Sequence, residues 1–158
     1  MRSLLIFTVL LYAIFILALP AHAQTVNISG LSTLNLPSFS GSGNSSTEDD
    51  VCVYNSNNAD YSISASGSGT GGAFTLTSAG STVAYHPFFR DSVGSGSFVE
   101  LQNVNQNYDF TDASTTSLTC ADSGGVNATV RIVANEADML NANSGSYSGS
   151  VTLVVAPR

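Results

Sequence analysis

Apolar side chains along this chain return at every second position, in short runs cut apart by clusters of glycine, serine and asparagine. A period of two puts successive side chains on opposite faces, the geometry of a strand with one buried face. Residues 151–156 show it plainly, with Val151, Leu153 and Val155 sharing one parity. Strands are expected over residues 51–55, 61–66, 73–78, 82–90, 98–104, 116–120, 128–134 and 150–156. One more is expected within residues 25–36, where Val26, Ile28, Leu34 and Leu36 share a parity while Gly30 and Ser32 leave the middle of that face without large side chains. Residues 38–50, SFSGSGNSSTEDD, read as a polar loop with an acidic end. Only residues 135–143, NEADMLNAN, look helical, and a segment that short does not hold itself together as an isolated helix. Short strands at this spacing predict an all-β fold, a two-sheet sandwich of immunoglobulin-like type. The lack of tryptophan removes one hallmark of antibody domains.

Residues 1–23 carry the marks of an export signal. Met1-Arg2 supplies a positive start, an apolar run from Leu4 to Leu19 is interrupted only by Thr8, and Pro20-Ala21-His22-Ala23 ends small-x-small before Gln24. Cleavage after Ala23 is expected, because the run falls short of the roughly 20 residues a spanning helix needs. That leaves residues 24–158 as a single domain, with no second run long enough for a membrane span. Export brings Cys52 and Cys120 into an oxidising compartment, where one intrachain disulfide is the natural reading. Metal binding through cysteine lacks the C-x-x-C spacing, and His86 is the one histidine beyond the leader.

Every positive charge is arginine, at Arg2, Arg90, Arg131 and Arg158, against 11 acidic residues. Without lysine there is no Walker-type phosphate site, and an acidic chain without basic clusters is a poor partner for nucleic acid. Gly67, Gly69 and Gly72 satisfy G-x-G-x-x-G, but residues 73–77 alternate as a strand where a dinucleotide fingerprint needs a helix, so a hairpin loop is expected. His86 lies among Tyr85, Pro87, Phe88 and Phe89, on what reads as an edge or bulged strand, and no G-x-S-x-G elbow accompanies it. Asn105, Asn107, Asp109 and Asp112 faintly resemble a calcium loop, yet Phe110 stands where its turn wants glycine. Together with Glu48-Asp49-Asp50 they are expected to be solvated loop residues. Glycosylation-type triplets begin at Asn27, Asn44 and Asn127, as chance provides in so polar a composition. No catalytic residue, metal or cofactor is expected.

The inward face of residues 151–155 needs a neighbour on its far side, and no further strand follows it in this sequence. An uncovered strand edge beside an apolar face invites pairing. Two partners satisfy it: an extended segment of another chain, or residues 25–36 in cis. Periodicity alone does not choose between them.

The succession Val51-Cys52-Val53-Tyr54, Tyr61-Ser62-Ile63-Ser64-Ala65, Gly71-Gly72-Ala73-Phe74-Thr75-Leu76, Val83-Ala84-Tyr85, Cys120, and the closing G-x-Y-x-G-x-V-T-L from Gly145 to Leu153 resembles the spore coat protein U domain. That family includes pilins of archaic chaperone–usher fimbriae such as Csu pili, and the likeness covers residues 51–157. The resemblance implies an immunoglobulin-like sandwich lacking its last strand, exported to a Gram-negative periplasm. It implies a periplasmic chaperone, an outer-membrane usher and other pilin subunits as partners, joined by donor-strand complementation into a surface fimbria. Carried over by position, Cys52 and Cys120 match the disulfide pair, and Val151, Leu153 and Val155 match the strand flanking the groove. Val26, Ile28, Gly30, Leu34 and Leu36 are then either the donor or the domain's own first strand. The first alternative makes a shaft subunit and the second a tip or terminating one. A free-standing secreted adhesive or binding module is the competing expectation.

Overall fold

The computed structural model describes residues 24–102 and 106–158. The expected leader, residues 1–23, and Asn105 of the oxygen-rich run lie outside them. The strands are β1 (Val26–Ser29), β2 (Ser45–Asn55), β3 (Tyr61–Gly67), β4 (Thr75–Ser78), β5 (Ser81–Ala84), β6 (His86–Arg90), β7 (Val99–Glu100), β8 (Tyr108–Phe110), β9 (Ala128–Ala134) and β10 (Val151–Pro157), with a short helix α1 (Glu136–Leu140). They form a five-stranded sheet in the order β1-β2-β9-β6-β7, a three-stranded sheet β10-β3-β8, and a hairpin β4-β5. Among the described residues every ladder is antiparallel, with one isolated parallel bridge between Tyr54 and Ser114, and the fold is all-β as expected.

Alternation places one core between the two sheets. Val51, Val53, Phe89, Ala128 and Val130 come from the larger sheet, and Tyr61, Ile63, Ala65 and Phe110 from the smaller. The rings of Tyr61 and Phe89 meet edge-on at 6.3 Å, and Phe110 lies 4.8 Å from Phe89, so an aromatic cluster joins the sheets. Burying each such side chain stabilises the fold by about 1.5–3 kcal/mol.

Several expectations are corrected. The polar loop of residues 38–50 is in part the first half of β2, where Ser45 to Val51 pair with Ala134 to Ala128 of β9. Polar residues sustain a strand here because their side chains are spent on neighbours: Arg131 Nε donates to Glu48 at 2.7 Å, Thr129 Oγ1 to Asp50 at 2.7 Å, and the Ser32 N–H to Asp49 at 2.7 Å. Within residues 25–36 only Val26–Ser29 is a strand, because Gly30 turns to φ +86° and leaves the ladder. Residues 82–90 divide at Tyr85, with β5 pairing β4 and β6 pairing β9, so the chain changes sheets there. Residues 116–120 are not a strand. Cys120 takes φ +49°, and the hydroxyls of Ser114 and Ser117 accept the main-chain N–H groups of Ser117, Thr119 and Ala121, replacing ladder bonds. Part of the oxygen-rich run is instead β8, with Phe110 buried. The glycine motif ends β3 at Gly67 and continues as a crossover to β4, which pairs with β5 and not with β3. No described helix is long and apolar enough to cross a membrane.

Candidate functional site

The smaller sheet ends at β10, which pairs with β3 from Val151–Gly67 to Pro157–Tyr61. On β3 the inward residues Ile63 and Ala65 are buried, at 0% and 5% exposure. Their partners one strand outward, Val155 and Leu153, are only half-buried, as is Val151, although all three pack against the core. Burial therefore falls off across one strand spacing, and the sandwich edge beyond β10 is apolar and incompletely covered. Val154, on the opposite face, is 55% exposed.

The larger sheet ends at β1 on the same side of the molecule. Val26 to Ser29 pair with Asn55 to Cys52 of β2, so Val26 and Ile28 serve in this structure as a strand in cis. Gln24 Nε2 donates to Asn55 Oδ1 at 2.9 Å, the Ser56 N–H donates to Thr25 O at 2.9 Å, and the Thr25 N–H donates to Ser56 Oγ at 2.9 Å. Leu34 and Leu36 follow Gly30 in an irregular segment, both half-buried, with Leu34 packed against the core. Cα atoms of β1 come within 8 Å of those of β10.

Behind this edge the fold is held covalently. Cys52 of β2 is bonded to Cys120 across 68 positions, with Cα atoms 5.6 Å apart and both residues buried. Beyond β9 the partner of β2 is Ser114, whose N–H donates to Val53 O and whose O accepts the Asn55 N–H, both at 2.9 Å. Asn127 closes the remaining positions through its side chain, a role its glycosylation-type triplet does not signal. The closing glycine motif also has a structural reading. Ser148 and Thr77 exchange main-chain bonds at 2.8 and 3.1 Å, Tyr85 Oη donates to Ser150 O at 2.8 Å, and a Cβ on Gly149 would stand 2.6 Å from Thr75 O. The segment preceding β10 is thus pressed onto β4.

The remaining sequence candidates do not converge. His86 Nδ1 stands 2.7 Å from Glu100 Oε1 as a half-exposed pair tying β6 to β7. β6 is an interior strand and not the expected edge. Its Pro87 accepts the Leu101 N–H at 2.8 Å, so the missing Pro N–H faces the end of the two-residue β7, where no ladder partner is required. Asp109 pairs with Arg158 at 3.2 Å. Arg90 and Arg131 stack on the Phe98 ring at 4.4 and 3.7 Å, on the other sheet. Ser64, Ser66, Gly71, Gly72, Asn107 and Val154 line a depression of about 470 Å³ that contains no charged side chain. Among the described residues no three His, Cys, Asp or Glu side chains gather as a metal site. No protein-family model and no curated protein matches the chain.

Proposed function

We propose that this chain is a structural, non-catalytic subunit of a secreted surface fimbria, an incomplete immunoglobulin-like sandwich that accepts a strand from a second subunit. The observation that carries this reading is the half-buried inward face of β10, Val151, Leu153 and Val155, on a strand that among the described residues is paired along one edge only. An extended segment of alternating apolar residues is the partner with the matching chemistry, because it supplies main-chain bonds and side chains of the right period together. The resemblance to the spore coat protein U domain supplies the setting. Residues 1–23 direct export through the inner membrane, a periplasmic chaperone covers the edge in transit, and an outer-membrane usher delivers the subunit to the cell surface. A buried disulfide suits that oxidising route. The cis pairing of β1 with β2 favours a tip or terminating position, in which the chain accepts a strand and keeps its own.

The same cis pairing also supports the second reading, a free-standing secreted binding module in which β1 covers enough of the edge. Expression with its own leader in a bacterial periplasm, with and without a cognate chaperone, separates them. The subunit reading expects a chaperone-dependent species, and complexes that resist SDS until boiled. A stable monomer without chaperone overturns it in favour of the free-standing module.

A further inference from the structure

On the reading that β10 accepts a strand, we propose that β1 is a movable gate over that site, and that an incoming strand must push β1 aside. An inserted strand needs about 4.8 Å to each flanking strand, and facing sheets stand about 10 Å apart. Where Cα atoms of β1 and β10 come within 8 Å of one another, the gap is narrower than the roughly 9.6 Å that two strands stand apart with a third between them, so an inserted strand has no room there.

β1 is built to yield. It has four residues, all half-buried, held by one ladder to β2. Short edge elements of this kind open at lower free energy than core strands. Gly30, with φ +86°, ends it in a conformation that leads into an irregular segment reaching to β2, a natural pivot. Its other end is held by the Gln24–Asn55 and Thr25–Ser56 bonds, which set how readily it leaves. The occupant that fits is a donor strand of another subunit with the chemistry of residues 24–37, a segment that in this chain pairs in cis through Val26–Ser29. That segment carries no charge, and its Val26, Ile28, Leu34 and Leu36 share the parity needed to face Val151, Leu153 and Val155.

The test is hydrogen exchange, followed by mass spectrometry, on the exported chain mixed with an isotope-labelled synthetic peptide of residues 24–37. The gate predicts slower exchange over Val151–Val155 of the protein, together with faster exchange over its own Val26–Ser29. Protection of β10 with unchanged exchange in β1 overturns the gate and leaves the strand-acceptor reading standing. No change in either segment overturns the strand-acceptor reading itself. A Gln24→Ala variant adds a kinetic arm, because loss of one hydrogen bond at the end of β1 should speed peptide binding about five-fold. An unchanged rate overturns displacement of β1 as the slow step.

Discussion

The carboxamide of Asn127 pairs with the main chain of Val53 as though it were another strand residue. Oδ1 accepts the Val53 N–H at 2.8 Å, and Nδ2 donates to Val53 O at 2.9 Å and to Asp112 O at 2.9 Å. One side chain thus fills the gap in β2 between its ladder with β9 and its bridge to Ser114. Replacing Asn127 by Asp removes the donor and sets a carboxylate against two carbonyl oxygens. The expected cost is about 2–3 kcal/mol, read as a lower urea midpoint with an unchanged m-value.

The Cys52–Cys120 bridge closes a loop of 68 positions over this same region. In the chain-entropy treatment such a closure contributes about 4 kcal/mol. The double variant Cys52→Ala, Cys120→Ala should lose most of that in thermal or urea unfolding. Because Cys52 and Cys120 are 2% and 0% exposed, the native protein should resist a thiol reductant until denaturant is added. Rapid reduction of the folded chain would contradict this placement.

Asp122 anchors the loop that carries Cys120. Its carboxyl is held below the ordinary 3.8 by the hydrogen bond from Thr116 Oγ1, with a further contribution from Ser114 Oγ. A depressed carboxyl adds stability that is fully present above its unfolded value and is lost as pH falls through its folded one. The stability contribution of this loop should therefore decline below about pH 3.8. In Thr116→Val the Asp122 titration followed by NMR should move back up.

Alkaline behaviour runs the other way. Burial pushes the Tyr85 phenol up to about 12, and it raises Tyr61 further, with Asp91 and Asp112 adding to that rise. A raised phenol stabilises the fold fully below its unfolded value near 10, and that contribution is lost as pH rises towards the folded one. Stability should fall from about pH 10 upward, and the Tyr85→Phe variant should show less of that fall while losing about 1 kcal/mol at neutral pH with its bond to Ser150. Absorbance at 295 nm should show these two phenols ionising only as the protein unfolds.

Gly149→Ala tests the close approach of the closing motif to β4. The added Cβ meets the Thr75 carbonyl oxygen, which is main chain and has no rotamer to escape into. The expected destabilisation is about 1–3 kcal/mol, with disturbed NMR shifts centred on Thr75–Ser78 and Ser148.

Where a strand buries one face, the alternation of its side chains made it legible. The inward sets Val51 and Val53, Ile63 and Ala65, Ala128 and Val130, and Val151, Leu153 and Val155 all follow from period two. The first half of β2 did not show itself, because Ser45 to Asp50 hold their place through ladder bonds and through Arg131, Thr129 and Ser32, partners far away in sequence. Residues 116–120 misled for the converse reason. Their alternation is genuine, but local hydroxyl-to-main-chain bonds and the left-handed Cys120 outbid a ladder. The candidate edge was legible in half: β10 and its inward face could be read, its distance to β1 could not.

What the sequence determined by itself is the all-β class, the composition that excludes lysine-based phosphate sites, and which face of each well-patterned strand turns inward. These follow from local sterics and from the free energy of burying apolar area, which act residue by residue. Tertiary structure alone decided that Val26–Ser29 pairs with Cys52–Asn55, that Asn127 completes β2, and that β1 leans within 8 Å of β10. Pairing and approach depend on contacts between residues tens of positions apart, and one strand's period carries no information about which partner its edge will meet.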